Sequence, residues 1–435
     1  MARVACLALG EPIPIHLLEL TFNLTKADFA ARLQLGDAIN RLVELGLLRV
    51  EQQAIQCHRL VAIYVQHETD MDMAAARTAV ETSLFQEAKR LNARGFPGTL
   101  QPWQAHLRTV TETAQARNDT LGTQLGEVLA IHLRQTGDYT GAQIYLECSL
   151  DISRQLVGEN HPKIAHVLLN LGDILLRQME LKKAWSYLEQ ALAIQMETIG
   201  EYHVETATTL NHMGYAKQKE RNWEEAQPYH EQALHIRLQV LGQGHPDTAQ
   251  SLINLARSDK ARQNWKSVEQ KLEQAWNIYS HSLGETHPKT ISVQQYLGEV
   301  AQAQERLTEA QTIFQQVLEI RQQVLGNEHP EIATTLTLLG STFHAQGHMP
   351  KALSCYEKAL SIRLKILGSS NPLIAESWAY LGDLWYENHD IKAAIMYYRK
   401  ALRVLEAGFD TSQQQIEEIR QKLSVLDNIT NKDAK

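Results

Sequence analysis

A short motif at the start of helix-like segments recurs every 42 residues in this chain of 435 residues. It stands at His161-Pro162, His203-Val204, His245-Pro246, His287-Pro288, His329-Pro330 and Asn371-Pro372. The intervals between these positions are equal, with neither insertion nor deletion. Such a period is typical of stacked units, because each unit must present the same faces to the units before and after it. A single catalytic domain has no need of it.

Small residues follow the same period and predict close packing between helices. Three columns of them are Gly172, Gly214, Ala256, Gly298, Gly340 and Gly382; Ala184, Ala226, Val268, Ala310, Ala352 and Ala394; and Ala191, Ala233, Ala275, Val317, Ala359 and Ala401. Larger side chains there would push the helix axes apart. A fourth column, just before each motif, is Gly158, Gly200, Gly242, Gly284, Gly326 and Gly368. Glycine can end a helix in the left-handed conformation, and proline suits the first turn of the next helix. Each unit is therefore predicted to be a helix, a short turn, a second helix and a longer loop.

The period divides most of the chain into seven predicted units. They are 119–160, 161–202, 203–244, 245–286, 287–328, 329–370 and 371–411. Residues 410–427, rich in Gln and Glu, are expected to form a polar closing helix, because the last unit has no neighbour to cover it. Residues 428–435 are expected to fray. The predicted domains are 1–68, a small winged-helix-like domain; 69–118, a helical connector; 119–411, the repeats; and 412–435, the closing helix and tail.

The pattern of small and large residues in each unit resembles the tetratricopeptide repeat. The unit length and the His-Pro loop resemble its kinesin light chain variety. The segments Ala226-Gln227-Pro228-Tyr229, Ala233-Leu234-His235-Ile236-Arg237 and Leu241-Gly242 are close to the second helix of that variety. The resemblance implies an all-α fold, a right-handed superhelical solenoid of seven helix-turn-helix repeats. It is specific for the fold and weakly specific for function.

Composition excludes several classes of protein. The net charge of −8 argues against general affinity for nucleic acid. No apolar stretch approaches the roughly 20 residues needed to span a bilayer. The four cysteines, Cys6, Cys57, Cys148 and Cys355, show no pairing or metal-binding spacing, which suits a reducing compartment. A cytoplasmic protein that binds neither membrane nor nucleic acid is therefore expected.

The first 68 residues follow a different pattern. Short helices are predicted at 12–20, 26–35 and 36–45, a β-hairpin at 47–50 and 55–57, and a further helix at 59–67. The segments "LVELGLLRV" and "CHRLV" between Ile39 and Val61 resemble the winged helix that ends the NB-ARC module of signal-transduction ATPases. Residues 101–118 resemble the helical connector of that family, in which kinesin-light-chain-like repeats often follow.

The resemblance to the ATPase lacks the nucleotide-binding core. No Gly-x-x-x-x-Gly-Lys-Ser/Thr motif occurs in the chain, so such a core, if there is one, would lie in cis or in trans outside it. In that family a winged-helix histidine contacts the β-phosphate of the nucleotide, and His58 stands in its column. Arg59 replaces the Asp that usually follows. The alternative for His58 is a half-buried residue that ends the wing, and it is favoured for this chain taken alone.

Other chemistry finds little support in the sequence. The predicted helix 36–45 has Arg41 as its only basic residue, which makes it a poor reader of DNA. His230 and His235 are five residues apart, whereas two zinc ligands on one helix face stand four apart. The histidines of the repeated motif would lie too far apart to share a metal, so each is expected to pack in its loop or cap a helix. No Gly-x-Ser-x-Gly elbow occurs. No catalytic residue, metal or cofactor is therefore predicted.

The remaining candidate site is the concave groove that the first helices of tetratricopeptide units line. Its polar positions are expected to contact a partner, since a core position would be apolar. The candidates are Asn170, Asp173, Arg177, Asn211, His212, Tyr215, Lys219, Asn254, Arg257 and Lys260. The family resemblance implies that Asn170 and Asn254 hold the backbone of an extended peptide. The later positions Glu299, Asp383 and Glu387 make that part acidic.

Three functional hypotheses follow. The first is a protein-interaction scaffold that binds a protein or peptide, with an acidic segment or chain terminus at the basic middle units. The second is the sensor and relay half of a signal-transduction ATPase. The third is an enzyme or a DNA-binding regulator. A solvated polar face without a ligand is the alternative to any groove site.

Overall fold

The computed structural model describes residues 1–25, 27–67, 72–93, 97–367, 371–407 and 413–433. Gly368, the proposed domain boundaries at 68/69 and 411/412, and the last two residues lie outside these ranges. The described part is mainly helical, with one small sheet, and it divides into two compact units, Met1–Val240 and Leu241–Lys435. The predicted all-α fold class is confirmed, with a small N-terminal region that contains the sheet.

The N-terminal region consists of short helices around a three-stranded antiparallel sheet of order β1-β3-β2. Its elements are α1 (Ala2–Ala5), β1 (Ile13–Pro14), α2 (Ile15–Thr21), α3 (Phe29–Glu44), β2 (Leu48–Glu51), β3 (Ala54–Cys57), α4 (Arg59–His67), α5 (Met73–Ala93) and α6 (Gln104–Gln115). Two 3-10 turns, Pro97–Thr99 and Gln101–Trp103, precede α6. The hairpin and α4 lie where they were predicted.

Two details of this region differ from the prediction. The helices expected at 26–35 and 36–45 are one helix, α3, which passes through Gly36. Glycine weakens a helix by only about 1 kcal/mol, and the burial of Ile39 with the packing of Leu35 and Leu42 outweighs that cost. Ile13 and Pro14 were expected in a helix, but they form β1, which pairs with Ile55 and Ala54 of β3.

The repeats form seven antiparallel helix pairs in the described chain. Unit 1 holds α7 (Thr120–Thr136) with α8 (Tyr139–Val157), α9 (Pro162–Arg177) with α10 (Leu181–Thr198), and α11 (Val204–Lys219) with α12 (Trp223–Val240). Unit 2 holds α13 (Pro246–Ala261) with α14 (Trp265–Leu283), α15 (Pro288–Ala303) with α16 (Leu307–Leu325), α17 (Pro330–Ala345) with α18 (Met349–Leu367), and α19 (Pro372–Glu387) with α20 (Ile391–Ala407).

The last helix, α21 (Gln413–Asp433), covers the final pair. Its Ile419, Leu423 and Leu426 are buried against Ala394 and Tyr398. This is the closing helix that the sequence predicted. The backbone of residues 428–433 continues this helix, and the expectation that residues 428–435 fray stays a prediction.

The first small-residue column is explained by contact within each pair. A Cβ atom placed on Gly172 would lie 2.7 Å from Leu188 Cδ2, and one on Gly298 would lie 2.6 Å from Phe314 Cε1. Gly340 meets Tyr356 in the same way. Real Cβ atoms do not approach so closely, so each of these pairs can pack at this distance only with glycine in the first helix.

The described glycines of the fourth column have positive φ, as predicted, but not the left-handed helical conformation. Gly158 has φ +80° and ψ 172°, and Gly284 has φ +94° and ψ 158°. Only glycine readily occupies this region. The positive φ values typical of the left-handed region lie instead at the turns inside the pairs, for example at Met179 and Gln263.

Candidate functional site

The repeated histidines cap the first helices. In each motif the Nδ1 atom accepts a hydrogen bond from the backbone N–H two residues later, at 3.1 Å for His161 to Lys163 and at 3.2 Å for His287 to Lys289. His203, His245 and His329 do the same, and the Asn371 side chain caps α19 at 2.9 Å. An N-cap satisfies an amide that the first turn leaves without a partner. The prediction that these histidines cap the helices is confirmed.

A first ladder of charges crosses the first helices of unit 1. His166 of α9 lies between Glu127 of α7 and Glu205 of α11: its Nε2 atom is 3.3 Å from Glu127 Oε2, and its Nδ1 atom is 3.3 Å from Glu205 Oε1. Successive members stand 39 residues apart. We call these three residues the Glu-His-Glu ladder. The sequence reasoning missed it.

A second ladder lies two turns further along the same helices. Asp173 of α9 forms ion pairs with Arg134 of α7 and with Arg177, whose Nε atom is 3.2 Å from Asp173 Oδ1; the Nε2 atom of His212 on α11 is 3.5 Å away. Asp173 is 6% exposed. Burial alone would raise its pKa, but His212, Arg134 and Arg177 hold the pKa of this carboxyl well below its usual range. The buried carboxylate of Asp173 thus holds several cationic side chains in place.

The remaining candidates of unit 1 occupy different environments. Asn211 is buried, and its side-chain oxygen lies 2.9 Å from Nδ1 of the buried His230 on α12, so it faces the neighbouring helix of its own pair. Asn170 is half-buried, with its Nδ2 atom enclosed and lacking a hydrogen-bond partner among the described residues. Tyr215 is half-buried, and the Lys219 Nζ atom lies 5.2 Å above its ring.

Unit 2 contains a cavity of about 560 Å³ between α13 and α15. It is lined by Gln250, Ile253, Arg257, Lys260, Tyr279, Pro288, Lys289, Ser292, Val293, Gln295, Tyr296 and Glu299. Asn254 is 3% exposed and does not line it. We call this space the α13–α15 cavity. It contains two of the predicted groove residues, Arg257 and Lys260, and adds Lys289, which the sequence reasoning missed.

The α13–α15 cavity carries an excess of positive charge. Within the described chain, Arg257, Lys260 and Lys289 form no ion pair. The Lys260 Nζ atom lies 5.1 Å from the centre of the Tyr296 ring. The one carboxylate of the lining, Glu299, accepts a hydrogen bond of 2.8 Å from Gln295. Burial raises the pKa of Tyr296 to about 12, so its hydroxyl stays neutral.

Two of the later acidic positions, Asp383 and Glu387, already have cationic or histidine partners. Asp383 of α19 pairs with Lys422 of α21 and accepts a hydrogen bond from the Tyr398 hydroxyl. Glu387 lies 2.7 Å from Nε2 of His344. The acidic character read from the sequence is therefore largely neutralised at these two residues.

His58, at the end of the hairpin, is exposed rather than half-buried. Its Nδ1 atom accepts a hydrogen bond of 3.2 Å from the Leu60 N–H, so it caps the start of α4. Among the described residues there is no group of three or more His, Cys, Asp or Glu placed to hold a metal ion. None of the described helices is long and apolar enough to cross a membrane.

Helix pairs stacked through small residues, with polar first-helix surfaces, define a helical-repeat protein. The family model of the tetratricopeptide repeat matches residues 120–197, 205–281, 289–365 and 345–407, more than half of the chain. The chain belongs to the tetratricopeptide repeat family, as its sequence pattern predicted. A comparison with curated proteins gave no match.

Solved structures with a similar fold come from varied proteins. The kinesin light chain nearly identical TPR-like repeats of Podosopora anserina are 26% identical, and the match covers 48% of this chain and 99% of that chain with a TM-score of 0.42. PH0952 of Pyrococcus horikoshii, a Signal Transduction ATPase with Numerous Domains that has a tetratricopeptide repeat sensor, is 12% identical; the match covers 97% of this chain and 64% of that chain with a TM-score of 0.52. A Rap protein complexed with Competence and Sporulation Factor is 11% identical over 84% of this chain and 91% of that chain, with a TM-score of 0.55. The last two likenesses concern the fold alone.

Proposed function

We propose that the chain is a protein-interaction scaffold and that its first helices hold a segment of a partner protein. Membership of the tetratricopeptide repeat family supports a scaffold. The observation that carries the site is the α13–α15 cavity, where three cations form no ion pair within the described chain. Several charged side chains elsewhere on the first helices already have an ion-pair partner, such as Asp173, Asp259 and Asp383, which favours this cavity for a charged partner.

The chemistry of the α13–α15 cavity favours an acidic segment. Arg257 and Lys260 lie towards one end of the cavity, and Lys289 lies at the other end. The lining extends over ten residues of each helix, from Gln250 to Lys260 on α13 and from Lys289 to Glu299 on α15. At 1.5 Å per residue this distance is about 15 Å, enough for four to five extended residues. Gln250, Gln295 and Ser292 can hydrogen-bond to a peptide backbone, because they both donate and accept.

The test compares two double charge reversals. Short peptides are selected from a random library on the full chain, and the enriched peptide is then measured by fluorescence anisotropy. Arg257→Glu with Lys260→Glu should weaken its binding by about tenfold or more, because attraction becomes repulsion. Lys266→Glu with Lys358→Glu makes the same change of net charge at exposed positions outside the cavity lining and should leave the affinity unchanged.

Two results would contradict this assignment. One is an enriched peptide pool without Asp and Glu. The other is equal weakening by the cavity variant and the control variant, which would show a general effect of net charge. Binding through the cavity should also fall steeply as salt is raised, since exposed charges are screened within about 10 Å at 0.1 M salt.

A second candidate function is the sensor and relay half of a signal-transduction ATPase. The observation in its favour is the element order of residues 1–67, which is helix-strand-helix-helix-strand-strand-helix with a sheet of order β1-β3-β2. This order fits the winged-helix-like domain expected from the sequence. His58 would then serve the nucleotide-binding module. The genomic sequence upstream of Met1 tests this, because an in-frame or adjacent reading frame with a Walker motif should be present, and its absence counts against the proposal.

A further inference from the structure

His166 has an unusual position for a histidine on a repeat surface. Its side chain is 42% exposed and touches two carboxylates that come from two different repeats. Glu127 is 22% exposed and Glu205 is 35% exposed, so neither carboxylate is freely hydrated. The imidazole ring of His166 therefore links α7, α9 and α11 through side-chain contacts alone.

The charged groups around His166 are few. Glu127 faces it from α7 and Glu205 from α11; Lys163, one turn earlier on α9, acts on Glu127, and His203, the cap of α11, acts on Glu205. The charged groups that act on the His166 pKa are Glu205 and Glu127. The ring is thus held by two acidic residues.

The directions of the pKa shifts agree with this geometry. The hydrogen bond to Glu205 raises the pKa of His166, burial lowers it, and Glu127 raises it again, with a net rise. Burial raises the pKa of Glu127 despite His166 and Lys163. The hydrogen bond to His166 lowers the pKa of Glu205.

We propose that the Glu-His-Glu ladder is a pH-responsive clasp that holds the first helices of three successive repeats together when His166 is protonated. The cation then bridges two carboxylates. When the ring is neutral, the two carboxylates remain close to it without that counter-charge, and the contacts between α7, α9 and α11 weaken. This proposal does not depend on which partner the α13–α15 cavity binds.

The sign of the effect follows from linkage. Because the folded-state pKa of His166 is raised, its contribution to stability is complete below the unfolded value of about 6.5 and is lost as the pH rises through the folded-state pKa. The lowered pKa of Glu205 gives a contribution that is lost only below about pH 4.3. The clasp should therefore be closed in mildly acidic solution and open in mildly alkaline solution.

The first measurement is an NMR titration of the full chain with labelled histidine rings. His166→Gln identifies the His166 signal by its disappearance. The midpoint of that signal should lie above about 6.5 in the unmodified chain. In the variant Glu127→Gln with Glu205→Gln it should fall by about one pH unit or more, because burial then acts alone. An unchanged midpoint in the double variant would overturn the proposal.

The second measurement is hydrogen exchange at about pH 6 and pH 8, corrected for intrinsic rates. From the lower to the higher pH, protection of α7, α9 and α11 should fall by about fivefold to tenfold more in the unmodified chain than in His166→Gln. His235→Gln, which removes an exposed histidine of α12, is the control and should behave like the unmodified chain. An equal loss of protection in the unmodified chain and in His166→Gln would also overturn the clasp.

Discussion

Arg321, near the end of α16, donates a hydrogen bond of 2.5 Å from Nη1 to the hydroxyl oxygen of Thr335 on α17. The arginine is 3% exposed, and the same nitrogen donates to Gln295 Oε1 at 2.6 Å. One period later, Arg363 makes the equivalent bond of 2.7 Å to Ser377. Buried arginines thus tie the second helix of one repeat to the first helix of the next, and neither was recognised from the sequence.

Removing this link should be costly. We expect Arg321→Ala to lower the free energy of unfolding by about 3 kcal/mol, because it leaves the Thr335 hydroxyl and the Gln295 oxygen without their donor and opens space in the stack. Urea unfolding followed by circular dichroism measures it. Arg420→Ala, which breaks the exposed pair with Glu406, should cost less than about 1 kcal/mol. Equal losses in the two variants would contradict the role of Arg321.

The close packing at Gly298 makes a second prediction. Gly298→Ala should destabilise the chain by about 1–3 kcal/mol, because its Cβ would lie 2.6 Å from Phe314 Cε1 and 3.1 Å from Ile313 Cγ2. Gly298→Ala with Phe314→Leu should recover part of the loss in a double-mutant cycle. Gly244→Ala is the matched control, since its Cβ meets nothing within 4 Å. Additive effects in the cycle would mean that the ring is not the obstacle.

The helix cap formed by His287 predicts a stability loss at acid pH. Burial, and then Lys289, lower the pKa of His287, which favours the neutral ring that accepts the Lys289 N–H. Its contribution is therefore complete above about pH 6.5 and is lost as the pH falls towards the folded-state pKa. His287→Ala should cost about 1 kcal/mol at pH 7.5, and His287→Asn should cost less. Between pH 7.5 and 5.5 the unmodified chain should lose stability relative to His287→Asn; parallel pH profiles would exclude a titrating cap.

The first helices of unit 1 give a prediction that separates binding from stability. Arg177→Glu with Lys219→Glu should weaken binding of an acidic partner by more than about tenfold if unit 1 takes part in recognition. Arg177→Glu alone should also lower the stability of unit 1 by about 2 kcal/mol, because it places a carboxylate beside Asp173. Lys219→Glu alone should leave stability unchanged. Thermal unfolding and anisotropy, measured on all three variants, distinguish the two effects.

The repeat architecture was predictable because it depends on residues that recur in phase. A glycine opposite a large residue and a histidine at a helix start recur in most periods, and the structure confirms the role of both. Gly36 shows where prediction from a local pattern fails. Its effect on α3 is decided by packing of Ile39 and its neighbours, which no local pattern reveals.

The candidate site was less predictable for a geometric reason. Residues that face each other on successive first helices are 39 positions apart, as Glu127 and His166 are. A comparison of residues 42 positions apart therefore places together side chains that do not contact each other. A polar residue on a first helix also need not face the groove. Asn211 is buried because His230 replaces an apolar residue of the second helix and offers it a hydrogen bond. Satisfied polar pairs of this kind are compatible with a core.

Because of the caps described above, a typical 42-residue period has its own helix cap, its own helix pair and its own closing glycine. Excision of residues 287–328 would join Thr286 to His329, and Gly284 would then precede that histidine at the spacing that Gly326 now has. The repeats on both sides of the join would keep their cap, their helix pair and their closing glycine. The join would replace one buried contact between repeats, because Tyr279 would come to face Thr335 in place of Arg321. Gain or loss of whole repeats in such a chain is therefore constrained less by the loops than by the buried contacts between neighbouring repeats.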